Sequence, residues 1–145
     1  MHKYRTHNCS QVRFSDLGKK VKLSGWVHRK RDHGQLIFVD LRDNYGITQV
    51  VTDSSSNHFS IVESLTLETV ISITGEVIER SKETVNKNLP TGDVEIKIEQ
   101  LEVLSKASPL PLQVNSTEDY GEETRLKYRY LDLRRARPHE NILLR

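Results

Sequence analysis

Three cations, Arg29, Lys30 and Arg31, stand just ahead of His33 and of Phe38, the aromatic in the run Leu36-Ile37-Phe38-Val39-Asp40-Leu41. Cations beside an aromatic on a strand suit unpaired nucleic acid, because the charges follow the phosphates and the ring stacks on a base. On an extended chain Arg29 and Arg31 share one face and Lys30 takes the other. The arginine fork matches phosphates and base edges with paired donors. A solvated hairpin end would carry the same charges. If Ile37, Val39 and Leu41 face a core, Phe38 faces outward with Leu36 and Asp40; the opposite register makes Phe38 a core residue. Alternation alone leaves both open.

Two further polar residues have the right chemistry for reading bases. Gln49 sits in Ile47-Thr48-Gln49-Val50-Val51. If Val50 points inward, Gln49 looks out, and its amide can both donate to and accept from a base edge. If Ile47 and Val51 point inward, Gln49 is a buried polar group that needs partners. Glu95 opens the last strand-like run; a carboxylate there can accept from the exocyclic amine of cytosine. It would repel phosphates, so it makes sense only against a base, or as an ordinary solvent-facing glutamate.

Other chemistries find little support. The six histidines show no metal-ligand spacing, and no metal is assigned. The seven glycines are scattered at turns and form no phosphate loop. Ser24 and Ser72 have no evident His/Asp pairing. Glu122 and Glu123 suit the positive end of a helix rather than catalysis. The single cysteine, Cys9, excludes an internal disulfide and reads as a small, partly buried side chain compatible with a reducing cytoplasm.

At 145 residues, 35% hydrophobic and 29% charged, the chain fits one compact domain with a modest core. With 22 Lys+Arg against 20 Asp+Glu the net charge is +2, so only local clustering points to nucleic acid. No apolar run approaches the ~20 residues of a membrane span, so no membrane partner is expected, and the polar start Met1-His2-Lys3-Tyr4-Arg5 does not read as a signal peptide.

The elements that must position these residues are mostly strands. Residues 1–11 are a polar lead-in, and Arg13–Gly18 reads as a helical turn stopped by Gly18. Val21–Val27 alternates as a first strand, with a basic turn after it that ends in Asp32-His33-Gly34. Leu36–Asp43 and Ile47–Val51 are the second and third strands. Ser54–Asn57 offers an N-cap for a helix over 57–67. Val70–Ile78 is a fourth strand, residues 81–93 a loop, and Val94–Leu104 a fifth strand with a slip near Gln100. Prolines at 109 and 111 mark an extended linker. Beyond it, Leu126, Tyr130, Leu131 and Leu133 suggest an amphipathic helix within 118–137, and Ile142–Arg145 reads as the start of a further domain. Five strands with a helix between the third and fourth match an all-β, five-stranded OB-fold barrel, over residues 1–107, followed by a partly helical hinge segment over 108–145. Barrels of this order also bind sugars and proteins.

Gly25–Asp32, Leu36–Asp43 and Gly46–Val51 together resemble the N-terminal anticodon-binding domain of class IIb aminoacyl-tRNA synthetases. Thr91–Glu95 and the run Glu123-Thr124-Arg125-Leu126-Lys127-Tyr128-Arg129-Tyr130-Leu131-Asp132-Leu133-Arg134-Arg135 resemble, within that group, the bacterial-type aspartyl-tRNA synthetase family. The resemblance implies that Phe38 stacks on the central anticodon uridine, and that Arg29, Arg31, Gln49 and Glu95 contact the anticodon bases or their backbone. Asn86, in the loop after the fourth strand, is a further candidate. It implies a cytoplasmic, homodimeric aspartate–tRNA ligase that uses ATP and Mg2+ at sites beyond residue 145, so the chain itself binds tRNA(Asp), holds no cofactor and has no catalytic residue. Where many strict members carry leucine, this chain has His33, which resembles the relaxed form that also charges tRNA(Asn). A neutral or protonated imidazole can donate to the carbonyl of a U as third base, where strict readers favour C. The alternatives are the barrel of an asparaginyl- or lysyl-tRNA synthetase, against which the tyrosine-rich hinge run argues, and a stand-alone single-strand-binding module without base preference.

Overall fold

The computed structural model describes residues 2–145. They form two compact units, one ending at Ser108 and one spanning Pro109–Arg145. In the first, strands β1 (Lys20–Asp32), β2 (Leu36–Arg42), β3 (Ile47–Asp53), β4 (Val70–Glu79) and β5 (Val94–Ser105) close a barrel in the order β1-β2-β3-β5-β4. All neighbours are antiparallel except β3 and β5.

Closure depends on β1, which pairs with β4 along its first half and β2 along its second; Trp26 is paired with both Val70 and Arg42. Gly25 stands at this corner because a Cβ there would lie 2.2 Å from the Arg42 carbonyl oxygen. Past the corner, an extra residue at His28 bulges β1, shifting the pairing from Val27–Leu41 to Arg29–Asp40. A second irregularity places Thr74 opposite Gln100 but Gly75 opposite Ile98, which accounts for the slip in the fifth strand.

The inward residues are those that alternation selects. Leu23, Val27, Ile37, Val39, Leu41, Val50, Ile71, Ile73 and Ile96 are fully buried in one cluster. Each contributes roughly 1.5–3 kcal/mol of burial. A short helix, α1 (Phe59–Ser64), adds Val62 and is followed by Leu65, both in that cluster. The N-terminal segment adds Cys9 and Val12. Cys9 is fully rather than partly buried, and that burial, with Asp43 beside it, pushes its thiol far up.

Three local expectations are corrected. The basic cluster is not a turn: β1 runs on to Asp32, because Arg29, Lys30 and Arg31 pair with Asp40, Val39 and Phe38. The helix expected over 57–67 is confined to Phe59–Ser64. At its start, Ser55 folds onto Asp53 by donating its N–H to Oδ1 at 3.0 Å, and no side chain caps the helix. At its end, Leu65 turns extended, and Glu68 takes a left-handed φ of 69°. The third correction concerns 118–137, which is not one helix. It breaks into α2 (Glu122–Lys127) and α3 (Arg129–Asp132), ahead of α4 (Ala136–Leu144).

The second unit has its own small core of Leu112, Val114 and Leu131, flanked by Leu110, Tyr120 and Tyr128. Leu126 and Tyr130, expected on an apolar face, are exposed. The fully buried carboxylate of Asp132 explains the kinked chain. It accepts from Arg125 Nε at 3.2 Å, Arg129 Nη1 at 2.9 Å and Arg135 Nη1 at 3.3 Å. Burial alone would raise this carboxyl, but the arginines outweigh it and hold it low.

Candidate nucleic-acid interface

Phe38 lies on the outer face of β2, between the buried Ile37 and Val39. Pairing carries that face across three strands, since residues directly opposite one another share a side. Arg31 stands opposite Phe38, and Phe38 opposite Val51; one step along, Arg29 stands opposite Asp40, and Asp40 opposite Gln49. Val50 belongs to the core, so Gln49 takes the outward register. The two possibilities that alternation left for Gln49 are both partly realised: it is on the Phe38 side, yet only 2% exposed and bonded at both ends of its amide.

Its partners form a chain across the sheet. Arg31 Nη2 donates to Asp40 Oδ1 at 2.9 Å and to Gln49 Oε1 at 2.8 Å. Gln49 Nε2 donates to Glu95 Oε2 at 2.6 Å. Glu95 is therefore not a solvent-facing glutamate but 8% exposed, and burial raises its carboxyl above the usual range, while Gln49 and Arg80 pull the other way. Because both ends of the amide are occupied, its orientation is determined: oxygen toward β1, NH2 toward β5.

The hairpin beyond β1 brings His33 to the ring of Phe38. Gly34 makes the turn at φ +84°, with its N–H bound to Asp32 Oδ1 at 2.8 Å, and the His33 N–H closes it on the Leu36 carbonyl at 2.8 Å. The two rings meet edge to face, 5.5 Å apart at an interplanar angle of 79°. His33 is exposed, and Phe38 keeps part of its ring exposed. Beside Phe38 a shallow concavity of about 260 Å³ is walled by Val51, Ile78, Thr84, Glu95 and Lys97.

Arg29 is exposed on the same face, and its side chain makes no hydrogen bond or ion pair among the described residues. Lys30 turns the other way and donates to the carbonyls of Glu63 at 2.5 Å and Leu65 at 2.9 Å, so it closes the end of α1. Asn86 is not drawn into the network. It is exposed in the loop between β4 and β5, where its side-chain oxygen accepts from the Asn88 N–H at 3.0 Å.

Arg80 is a member that sequence reasoning missed. It is 5% exposed, with Nε donating to the Val94 carbonyl at 2.8 Å and Nη1 to the Thr84 carbonyl at 3.1 Å. Its Nη2 is buried without a partner among the described residues. Burial lowers the guanidinium from its usual range, and the nearby carboxylates Asp40 and Glu95 oppose that shift. No spacing rule singles out Arg80, since its burial arises only when the loop over 81–93 folds back on the end of β4. Among the described residues no group of His, Cys, Asp and Glu could hold a metal ion, and no helix is long and apolar enough to cross a membrane.

A closed five-stranded barrel in this order, with its helix after β3, is an OB fold, and its outer β1–β2–β3 face carries the ring, cations and amide of a nucleic-acid-binding example. The chain belongs to the OB-fold nucleic acid binding domain family named for the tRNA anticodon, matched over residues 21–104. It is 61% identical to an aspartate–tRNA(Asp/Asn) ligase of Phenylobacterium zucineum (strain HLK1), over 100% of this chain and 24% of that protein. The corresponding ligase of Zymomonas mobilis subsp. mobilis (strain ATCC 31821 / ZM4 / CP4) is 60% identical over the same shares, 100% and 24%. Among solved structures, the asparaginyl-tRNA synthetase of Pyrococcus horikoshii complexed with asparaginyl-adenylate superposes with a TM-score of 0.74 at 30% identity, covering 89% of this chain and 29% of that one. The chain thus spans about a quarter of the length of the curated relatives it matches.

Proposed function

We propose that this chain is the anticodon reader of an aspartate–tRNA ligase that serves both tRNA(Asp) and tRNA(Asn). The observation that carries the reading is the single outward face on which Phe38, Arg31, Gln49 and Glu95 meet, in a chain whose relatives at 60% identity and above are tRNA(Asp/Asn) ligases. Phe38 stacks on the central anticodon base, worth about 1–3 kcal/mol. Arg29 and the outer nitrogens of Arg31 take phosphates and base edges. Glu95 accepts from an exocyclic amine, and its burial makes the contact stronger than it would be in water. His33, against the edge of Phe38, donates to a U carbonyl or leaves room for a C amine, and so tolerates either third base. Asn86 shapes the neighbouring loop and approaches the RNA from there.

In the whole enzyme, activation of aspartate with ATP and Mg2+, and transfer to the tRNA end, belong to the part outside residues 1–145; no residue of this chain is assigned to either ligand. The domain boundary near residue 108, the homodimer and the cytoplasmic setting are part of the same reading. Titration with anticodon stem-loops tests it. Loops with the aspartate or asparagine anticodon bind, and a loop with a changed central base binds at least tenfold more weakly. Equal binding of all three would leave a sequence-tolerant single-strand module.

A further inference from the structure

The anticodon reading above assigns no role to Asp40, yet the network begins there. Its carboxylate is only 15% exposed and lies on the face that would meet a polyanion. A negative charge in that place repels phosphates, so its presence needs a reason. The geometry supplies one. A single nitrogen of Arg31, Nη2, is shared between Asp40 Oδ1 and Gln49 Oε1. Asp40 thereby holds the guanidinium over β2, the guanidinium holds the oxygen of the Gln49 amide, and the opposite end of the amide occupies Glu95 Oε2. Glu95 Oε1 accepts from no described residue, and Glu95 lines the concavity beside Phe38.

We propose that Asp40 is a positioning residue for base recognition: through Arg31 it fixes the Gln49 amide, so that Glu95 offers one oxygen, Oε1, to a base. A reversed amide would set two oxygens, Gln49 Oε1 and Glu95 Oε2, against each other across β3 and β5, and the carboxylate would turn to relieve the repulsion. Arginine suits this position because Nη2 alone serves both acceptors, which leaves Nε and Nη1 to donate in other directions; a lysine has only the one nitrogen.

The inference rests on the anticodon reading, and its test separates the two. The sign of one substitution is diagnostic. If Asp40 acts only as a surface charge, Asp40→Asn removes repulsion and tightens RNA binding. If Asp40 is a positioning residue, Asp40→Asn weakens binding of the anticodon stem-loop about tenfold, the loss of one charge-assisted contact in a half-wet site. Affinity is measured by fluorescence anisotropy at one salt concentration, with melting temperature recorded alongside. The loss should shrink to less than threefold in a Gln49→Ala background, because the amide it positions is gone. Asp40→Glu, which keeps the charge, should restore part of the affinity. Should Asp40→Asn lower the melting temperature, Asp40→Thr, neutral and suited to a strand, carries the same expectation of weakened binding that shrinks in the Gln49→Ala background. Unchanged or tighter binding by Asp40→Asn, or an equal loss in the Gln49→Ala background, overturns the positioning role. A wild-type chain that does not distinguish anticodons overturns the underlying reading instead.

Discussion

Replacing Phe38 by alanine separates the two jobs an aromatic can have in a barrel. The ring is on the outer face, half-buried, and touches His33 edge to face at 5.5 Å. Full burial of such a side chain is worth about 1.5–3 kcal/mol, and an aromatic pair adds about 0.5–1.5 kcal/mol. With only part of the ring covered and an exposed partner, Phe38→Ala should lower folding stability by about 1 kcal/mol. Stacking on a base is worth about 1–3 kcal/mol, which is roughly 5- to 150-fold in Kd. The substitution should therefore affect RNA binding more than folding. Urea denaturation gives the first quantity, and titration of an anticodon stem-loop at fixed salt gives the second. A loss of ~3–5 kcal/mol in stability, the cost of emptying a core aromatic site, would refute the outward register. Unchanged affinity with an intact fold would refute the stacking platform.

Three other perturbations bear on the account. His33→Leu should weaken binding to a U-ending anticodon loop more than to a C-ending one; equal losses would remove His33 from base recognition. Glu95 is raised above its ordinary 4.5 by burial, so the folded state holds its proton more tightly than the unfolded chain. Stability then falls as pH rises between those two values, and the wild type should gain on Glu95→Gln as pH drops from 7 toward 4.5; a flat difference in urea midpoints would contradict the burial argument. Gly25→Ala forces a Cβ to within 2.2 Å of the Arg42 carbonyl oxygen at the β1 corner. It should cost about 3 kcal/mol by urea denaturation, and a loss under about 0.5 kcal/mol would mean the corner is slack.

Much of the barrel was legible because its strands are patterned by burial. Ile37, Val39 and Leu41 alternate so regularly that only the direction of the register was open, and the barrel resolves it with Phe38 outward. The basic run was harder. Periodicity ends near Val27 because the bulge at His28 breaks it, so Arg29–Arg31 read as a turn although they extend the strand. The helix after β3 was overextended for a similar reason. Leu65 and Leu67 continue the apolar pattern of Phe59 and Val62, but they reach the core from an extended residue and from the turn that follows it. In the second unit Asp132 decides the outcome. A buried carboxylate that gathers three arginines is invisible to hydrophobic spacing, and it breaks one expected helix into short pieces.

The site follows the same division. Residue type and the family resemblance singled out Arg29, Arg31, Phe38, Gln49 and Glu95, and the strand pairing sets Arg29, Arg31, Phe38 and Gln49 on one outward face. What linear spacing could not convey is that Arg31, Gln49 and Glu95 are bonded to each other across three strands, or that Asp40 and Arg80 belong with them. Those relations exist only once β3 and β5 close the barrel in parallel and the loop after β4 folds over them.

The most direct test of the central claim is a titration of this chain, at one salt concentration, with three stem-loops: the aspartate anticodon ending in C, the asparagine anticodon ending in U, and a control with the central base replaced. The account predicts that the first two bind within about tenfold of each other, a difference under roughly 1.4 kcal/mol, and that the control is at least tenfold weaker than both. Equal affinity for all three would contradict anticodon reading, and a preference for C well beyond tenfold would contradict the relaxed specificity assigned to His33.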